Sequence, residues 1–189
     1  MFYVKWGVRL VLLLLVAAFL HYTLPQHDLA RVNDTYEKRI DFGVNSIFWA
    51  SGGSGNASGT VNRDVFFIQA FRNDGDPMVY RNEDTGWGWP PYFKFDTANL
   101  QAEASNLISK QGEDTAQWVA IRHYGWRSEL FSIFPNAVDV WPVAGPDVRI
   151  IPWRNIVIVV VLFATYWAIR VRVLRFWKRR VAPMFDGDA

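Results

Sequence analysis

The chain has 189 residues and no cysteine, which suits one modest folded domain with additional segments and excludes disulfides, thiol catalysis and cysteine-ligated metal sites. Its charge is unevenly divided: residues 25–149 hold 11 basic and 16 acidic residues (net −5), whereas residues 170–189 hold 6 basic and 2 acidic (net +4). An acidic central region argues against nucleic acid as a partner.

The first predicted element is an apolar helix over residues 1–24. A basic start precedes the unbroken apolar run Leu10–Leu20. Aromatic residues on either side extend the segment to about twenty residues, long enough for a tilted membrane span. Proline cannot continue a helix, so Pro25 is expected to end it. A cleaved signal peptide is the alternative, with Val16–Ala18 as its cleavage site. We expect a retained transmembrane helix.

Residues 25–149 are predicted to form a β-rich α+β domain. Asp74-Gly75 supplies the positive φ angles of a tight hairpin turn. Asp96 is placed to cap a helix, and apolar residues at helical spacing follow it over Ala98–Lys110. Apolar or alternating patterns predict strands at Asp28–Asp41, Val65–Phe71, Met78–Tyr80, Gln117–Tyr124, Leu130–Phe134 and Ala137–Trp141.

The sequence contains no convincing pattern for a catalytic site. The Gly/Ser run Ser51–Thr60 lacks the Lys-Ser/Thr ending of a phosphate-binding loop, so we interpret it as a surface loop. His123 precedes Ser128 and Glu129, but no nucleophile-elbow glycines surround it. A half-buried strand histidine is the simpler interpretation. We therefore predict no catalytic residue, no cofactor and no metal site, and an enzyme is the least favoured class.

The most unusual stretch of the domain is Tyr80–Asp96, in which five aromatic residues from Trp87 to Phe95 are interleaved with glycine and proline. Glycine and proline disfavour a helix here and restrict a strand. The favoured interpretation is that the rings fill the core of a small sheet. The alternative is that some rings stay exposed and bind a partner, because aromatic residues and arginine dominate binding energy at interfaces. The candidate contact residues are then Trp87, Trp89, Tyr92, Phe93 and Arg81.

A second apolar segment, Ile151–Ile169, is predicted to span the membrane within residues 150–169. No charged residue occurs from Asn155 to Ile169, and nineteen helical residues measure about 28 Å, close to the ~30 Å hydrocarbon core of a bilayer. Small residues at Ala164 and Ala168 suit close packing against another helix.

Basic residues near both apolar segments predict the orientation. Lys5 and Arg9 flank the first segment, and a basic amphipathic tail, residues 170–189, follows the second. By the positive-inside rule both termini are cytoplasmic and residues 25–149 lie outside. The tail residues expected to contact lipid headgroups are Arg170, Arg172, Arg175, Lys178 and Arg179.

The chain also resembles a known family. Four stretches carry the likeness: Leu24–Asp28, Tyr80–Asp96, Tyr124–Arg127 and Phe134–Asn136. They are similar to the bacterial domain-of-unknown-function family 1523, and the resemblance runs over most of the chain. It implies a bacterial inner-membrane protein with a periplasmic domain. The family has no assigned reaction, so the resemblance implies no active-site residue.

Together these features predict two transmembrane helices flanking a β-rich α+β extracytoplasmic domain in the bacterial inner membrane. We expect a non-enzymatic accessory or assembly subunit that contacts membrane lipids and a larger membrane protein complex. Membrane location alone suggests a respiratory or photosynthetic complex. The alternative is a membrane-tethered module that binds a periplasmic ligand or an envelope polymer.

Overall fold

The computed structural model describes residues 2–40, 63–109 and 117–181, and within them five strands form a closed β-barrel. The elements in chain order are α1 (Phe2–Thr23), β1 (Gln26–Ile40), β2 (Arg63–Arg72), β3 (Pro77–Asn82), α2 (Thr97–Asn106), β4 (Trp118–Tyr124), β5 (Asn136–Val143) and α3 (Trp153–Phe176), which continues as the π-helical turn Trp177–Val181. The strands close in the order β1-β2-β3-β5-β4, with β4 paired to β1. This order, a parallel contact of β3 with β5 and a helix between β3 and β4 are the topology of an OB-fold.

The barrel interior is filled by alternate residues of the strands, because successive strand side chains point to opposite faces. Val32 on β1, Ile68 on β2, and Val119 and Ile121 on β4 belong to this core. The helix α2 contributes Leu100, so its predicted apolar face packs on the barrel. The predicted β2–β3 hairpin is confirmed, and its turn residue Gly75 has φ +86°.

Two sequence predictions about secondary structure need correction. The α2 helix ends at Asn106 with Leu107 as its C-cap, earlier than the predicted end at Lys110, which lies outside the described residues. The predicted strand Leu130–Phe134 is wrong. Those residues form a loop closed by a bridge between Ser128 and Ile133, in which Ser132 has φ +50°. The Gly/Ser run Ser51–Thr60 also lies outside the described residues.

Asp96 caps α2, since its Oδ1 accepts a hydrogen bond from the N–H of Asn99 at 3.0 Å. This bond satisfies a helix N–H that has no partner inside the helix. We expect Asp96→Ala to lower the unfolding free energy by about 1 kcal/mol. Near-ultraviolet circular dichroism of the full chain in detergent should then give a Tm a few degrees lower. Asp96→Ser, which keeps a capping oxygen, should lose less. An alanine variant as stable as the original chain would contradict this role for the cap.

Three connections leave the barrel next to one another. Tyr124 at the end of β4 pairs with Asn136 at the start of β5, and Asn136 lies beside Arg81 near the end of β3. Gln26, at the start of β1, pairs with His123, the neighbour of Tyr124. The α1–β1 junction, the segment after β3 (residues 83–96) and the β4–β5 loop (residues 125–135) therefore share one edge of the barrel.

Two helices flank the barrel in the sequence and are long and apolar enough to cross a membrane, judged by length and composition. The most apolar 18-residue window of the helix Phe2–Thr23 has a mean hydropathy of 1.9, and that of the helix Trp153–Arg179 has a mean hydropathy of 2.1. The first helix forms one compact unit with the barrel, up to Ile150, and the residues from Ile151 form a second unit. Within that second unit α3 runs beyond Ile169 without a break, so the first basic residues of the tail extend the same helix.

Candidate functional site

The segment after β3 forms a loop whose two ends are tied together. We call residues 85–95 the aromatic loop. The N–H groups of Thr85 and Gly86 donate to the carbonyl of Lys94 at 3.1 and 3.0 Å, and the N–H of Lys94 donates to Thr85 Oγ1 at 3.2 Å. Gly86 has φ +53°, and a Cβ at Gly88 would lie 3.1 Å from the carbonyl oxygen of Thr85. The positive φ angle favours glycine at position 86, and a side chain at position 88 would require the loop to shift by a few tenths of an ångström.

Lys94 anchors the aromatic loop in the interior. Its side chain is buried, and Nζ donates to the carbonyls of Ala137 at 2.9 Å and Glu83 at 3.3 Å and to Oδ1 of Asn82. All three donors of a lysine ammonium group thus have an acceptor. Burial lowers the pKa of Lys94 to about 7, while the negative charge of Asp84 acts in the opposite direction.

A second buried side chain, Asn136, joins the same network. Its Oδ1 accepts from the N–H of Glu83 at 2.9 Å, and its Nδ2 donates to the carbonyl of Glu83 at 3.0 Å and to the hydroxyl of Tyr124 at 3.1 Å. The Glu83 carboxylate forms an ion pair of 2.9 Å with Arg81. Arg81 was predicted as a partner contact, but it is 3 % exposed. The side chain of Arg81 is buried and paired with Glu83, so it is not available on the surface.

Most rings of the aromatic loop lie on the surface. Trp87 is 84 % exposed, Trp89 67 %, and Phe93 and Phe95 54 % each. Trp87 packs edge-on against Phe93 at 5.4 Å and Phe95 at 5.5 Å between ring centroids. The interpretation of these four rings as core residues is wrong, because strand residues already fill the barrel. Tyr92 alone among the five turns inward and stacks on Tyr124 at 4.7 Å.

One residue of the exposed cluster of Trp87, Phe93 and Phe95 has a strained backbone conformation. Phe93 has φ +52°, a left-handed conformation that costs a residue with a side chain roughly 1–2 kcal/mol. This conformation occurs at the position whose ring packs against Trp87. Such strain persists only where the surrounding structure over-determines it, and it is concentrated at functional sites.

A groove of about 390 Å³ lies beside the cluster. Phe93 and Phe95 line it, together with Asn99 of α2 and the side chains of Arg122 and Asp139 from β4 and β5. Arg122 Nη2 and Asp139 Oδ2 are 2.9 Å apart. Asp96 and Glu103 also line this open groove, so its walls combine aromatic rings with several charged side chains, and its volume lies at the small end of the range for ligand sites.

The other side of the aromatic loop contacts the last turn of α1. Trp89 stacks on Phe19 with 5.6 Å between ring centroids. The hydroxyl of Tyr92 donates to the carbonyl of Thr23 at 2.6 Å. The carbonyls at the end of a helix have no partner within the helix, and here the barrel supplies one.

The β4–β5 loop contacts the same turn of α1. The N–H of Gly125 donates to the carbonyl of Tyr22 at 2.9 Å. Trp126 Nε1 donates to His21 Nδ1 at 3.0 Å, and the Trp126 ring packs edge-on against Tyr22 at 5.3 Å. Gly125 has φ +94°, which explains glycine at this turn. The end of α1 is therefore joined to the barrel by both loops.

A separate polar cluster lies inside the barrel. Asp28 Oδ2 accepts from the hydroxyl of Tyr80 at 2.5 Å and lies 3.0 Å from His123 Nε2. The sequence suggested Ser128 and Glu129 as neighbours of His123, whereas the structure places Asp28 and Tyr80 there. His123 is 3 % exposed, so its ring is closed to solvent, more deeply buried than the predicted half-buried histidine. Across the described ranges, no group of three or more His, Asp or Glu side chains could hold a metal ion.

The pKa values of this cluster follow from its burial and charges. Burial by itself raises the pKa of Asp28, but the hydrogen bond and charge of His123, the Tyr80 hydroxyl and the charge of Arg72 outweigh it, so the net pKa is lowered. Burial and the Asp28 carboxylate raise the pKa of Tyr80 well above its usual value. Tyr80 therefore stays protonated as a donor to a charged Asp28.

The fold and this surface define a class of protein: an OB-type barrel joined to an apolar N-terminal helix, with an exposed aromatic loop and a second apolar helix after the barrel. The chain belongs to the family described as "Protein of unknown function (DUF1523)", which matches residues 1–177. The resemblance in the sequence is thereby confirmed. A Haemophilus influenzae protein described as uncharacterized is 36% identical over 168 residues, which cover 89% of this chain and 86% of that relative. No solved structure matches the chain.

Proposed function

We propose that the protein is a non-enzymatic accessory subunit of a larger protein complex in the bacterial inner membrane. The observation that carries this proposal is the exposed cluster of Trp87, Phe93 and Phe95 on a loop fixed from below by Lys94. Clustered exposed rings are costly in water and mark interaction surfaces, where aromatic residues supply most of the binding energy. A rigid loop adds to this, because little conformational freedom is lost when a partner binds.

The arrangement of ionisable groups supports binding over catalysis. His123 is paired with Asp28 and the pKa of Lys94 is lowered, as in many active sites, but both side chains are buried, with 3 % and 8 % exposure. Each side chain has partners that explain its burial without a catalytic role: Asp28 lies beside His123, and backbone carbonyls accept hydrogen bonds from Lys94. The exposed tryptophan and phenylalanine rings themselves carry no acid, base or nucleophile.

The two apolar helices supply the membrane part of the proposal. With α1 and α3 as spans, the positive-inside rule would put the two basic ends in the cytoplasm, and we therefore propose a periplasmic barrel. Arg170 and Arg172 on α3 would then contact lipid headgroups. Ala164 and Ala168, one turn apart on α3, offer a small-residue face to a helix of the partner.

The double variant Trp87→Ala/Phe95→Ala should lose the partner. Truncating one central ring at an interface costs about 2 kcal/mol, or roughly a 30-fold weaker complex. The measurement is co-purification of the tagged full chain from its own membranes in mild detergent at low salt, with partner stoichiometry read by mass spectrometry. Lys38→Ala, at an exposed position of β1, is the matched control and should keep the partner. A chain that purifies as a monomer before any substitution would end the proposal.

The groove favours a second candidate function, a membrane-tethered module that binds a periplasmic ligand or envelope polymer. Phe93 and Phe95 could stack on a sugar ring, and Arg122 and Asp139 could orient its polar groups. One experiment distinguishes the accessory subunit from the ligand-binding module. Binding of glycan fragments to a chain that purifies without any partner supports the second and removes the first.

A further inference from the structure

We infer that the barrel edge beside α1 lies in the headgroup layer of the bilayer, and that exposed apolar side chains at this edge enter the layer. We call them the rim: Trp89, Trp126, Leu130 and Phe131. Leu130 exposes 85 % of its surface and Trp89 67 %. The inference deepens the proposed function and rests on its claim that α1 spans the membrane. The rim shares no residue with the cluster of Trp87, Phe93 and Phe95, in which Phe93 and Phe95 line the groove beside α2.

The depth of the rim is set by α1. Its 22 residues make a helix of about 33 Å, close to the ~30 Å hydrocarbon thickness. Phe19 precedes Thr23, the last residue of α1, by four positions (23 − 19), which is about 6 Å along the axis. Trp89 stacks on Phe19. When α1 spans the bilayer, this ring therefore lies at the boundary of hydrocarbon and headgroups, where tryptophan is enriched.

A second set of contacts, made by Trp126, restricts the orientation of the barrel relative to the end of α1. Trp126 holds His21 and Tyr22, whereas Trp89 holds Phe19. Phe19 and His21 are two positions apart and so point about 200° apart around the helix. Because the turn is held from two sides, the barrel edge has one fixed direction relative to the axis of α1.

The β4–β5 loop adds the apolar tip beyond the bridge between Ser128 and Ile133 to the rim. Leu130 and Phe131 form the outer part of this loop, four and five positions after Trp126, and the loop leaves the barrel at the edge where α1 joins β1. Apolar side chains at the tip of a loop gain free energy by entering the interface.

Charge decides which lipid chemistry suits the rim. Residues 25–149 carry a net charge of −5, and Glu129, beside Leu130, is 90 % exposed. Arg127 lies 3.7 Å from Glu129, so the β4–β5 loop (residues 125–135) has no net positive charge with which to attract anionic lipid, and apolar insertion is the main contribution. The partner is a zwitterionic bilayer surface, and contact with it should not depend on salt.

The absence of cysteine allows a direct test of depth. Single variants Leu130→Cys, Leu14→Cys and Lys38→Cys of the full chain are labelled with a polarity-sensitive fluorophore and reconstituted in phosphatidylcholine vesicles. Leu14 lies mid-way along α1, and Lys38 lies twelve positions (38 − 26) along β1 from Gln26. Brominated phosphatidylcholine should quench the labels at positions 130 and 14 about twofold or more, and leave the label at 38 unchanged. Aqueous iodide should instead quench the label at position 38 more than the labels at positions 130 and 14. This order should be the same at low and at high salt.

Each outcome separates the inference from the proposal on which it rests. If lipid quenches the label at position 14 but the label at position 130 behaves like that at position 38, the rim does not touch the bilayer. This result overturns the inference and leaves intact the proposal that α1 spans the membrane. If neither the label at position 14 nor that at position 130 is quenched, α1 does not span the membrane. The membrane part of the proposed function and the inference then fail together. Leu130 is an exposed loop residue, so its substitution leaves the barrel core intact, which near-ultraviolet circular dichroism verifies.

Discussion

Replacing Lys94 with methionine should lower the unfolding free energy of the full chain by about 3 kcal/mol at pH 7, a fall of roughly 10 °C in Tm. Methionine fills the space but donates no hydrogen bond. It leaves the carbonyls of Glu83 and Ala137 and Oδ1 of Asn82 without their donor. The loss is reduced because the ammonium group itself is costly to bury, as its lowered pKa shows.

The pH dependence tests the same side chain independently. The folded-state pKa of Lys94 is about 7, against 10.5 for a lysine in water. Between these values the unfolded chain binds more protons than the folded chain, so this group adds stability as pH rises from 7 towards 10.5. The original chain should gain about 2 kcal/mol from Lys94 between pH 7 and pH 9, and Lys94→Met should lack this gain. The difference in unfolding free energy between the original chain and Lys94→Met therefore increases from pH 7 to pH 9.

The control for this experiment is Lys38→Met, which removes an exposed lysine from β1. It should change Tm by no more than a degree or two, since surface substitutions are usually within about 0.5 kcal/mol. Thermal unfolding in one detergent, followed by tryptophan fluorescence, measures all three proteins. A Lys94→Met chain as stable as the control at both pH values would show that the buried network does not hold the aromatic loop.

Asp28→Asn should lower the unfolding free energy by about 2–3 kcal/mol at pH 7, the value of hydrogen bonds to a charged group. Asparagine keeps the shape of the side chain but removes the negative charge beside His123 Nε2, at 3.0 Å, and the hydroxyl of Tyr80, at 2.5 Å. The polar groups left without the carboxylate are buried in the barrel, so water cannot replace it.

The sign of the pH effect follows from the lowered pKa of Asp28. The stability from its carboxylate is fully present above 3.8, the ordinary pKa of an aspartate in the unfolded chain, and is lost as pH falls through the lower folded-state value. The gap between the original chain and Asp28→Asn should therefore be constant from pH 7 to about pH 5 and shrink below pH 4. Denaturant unfolding at pH 7, 5 and 3 measures it. Asp64→Asn, at an exposed position of β2, is the control, and a gap of equal size at pH 3 and pH 7 would refute the charge-based account.

Local patterns were enough to predict several elements of this fold. The hairpin with Gly75 in its turn and the helix capped by Asp96 are confirmed because both depend on residues within a few positions of one another. The two apolar helices are likewise visible in single stretches of sequence. The loop Leu130–Phe134 was mistaken for a strand, since short apolar runs occur in both and the turn at Ser132 carries no glycine to mark it.

The candidate site was predicted only as a stretch of sequence. The pattern of tryptophan, glycine and proline identified the aromatic loop but not the side on which its rings lie. Their exposure depends on whether other residues already fill the interior, and that interior is built from five strands distributed over more than one hundred residues. The partners of His123 were missed for the same reason, because Asp28 and Tyr80 reach it only through barrel closure.

The sequence by itself determined where the chain is apolar, where it turns and how its basic residues are distributed, since each is a property of neighbouring residues. Tertiary structure alone decided that the strands close into an OB-type barrel, that the Lys94 side chain of the aromatic loop is buried, and that the end of α1 contacts both Trp89 and Trp126. The physical reason is that strand pairing brings together residues that are distant in sequence, and no local pattern encodes which of them will meet.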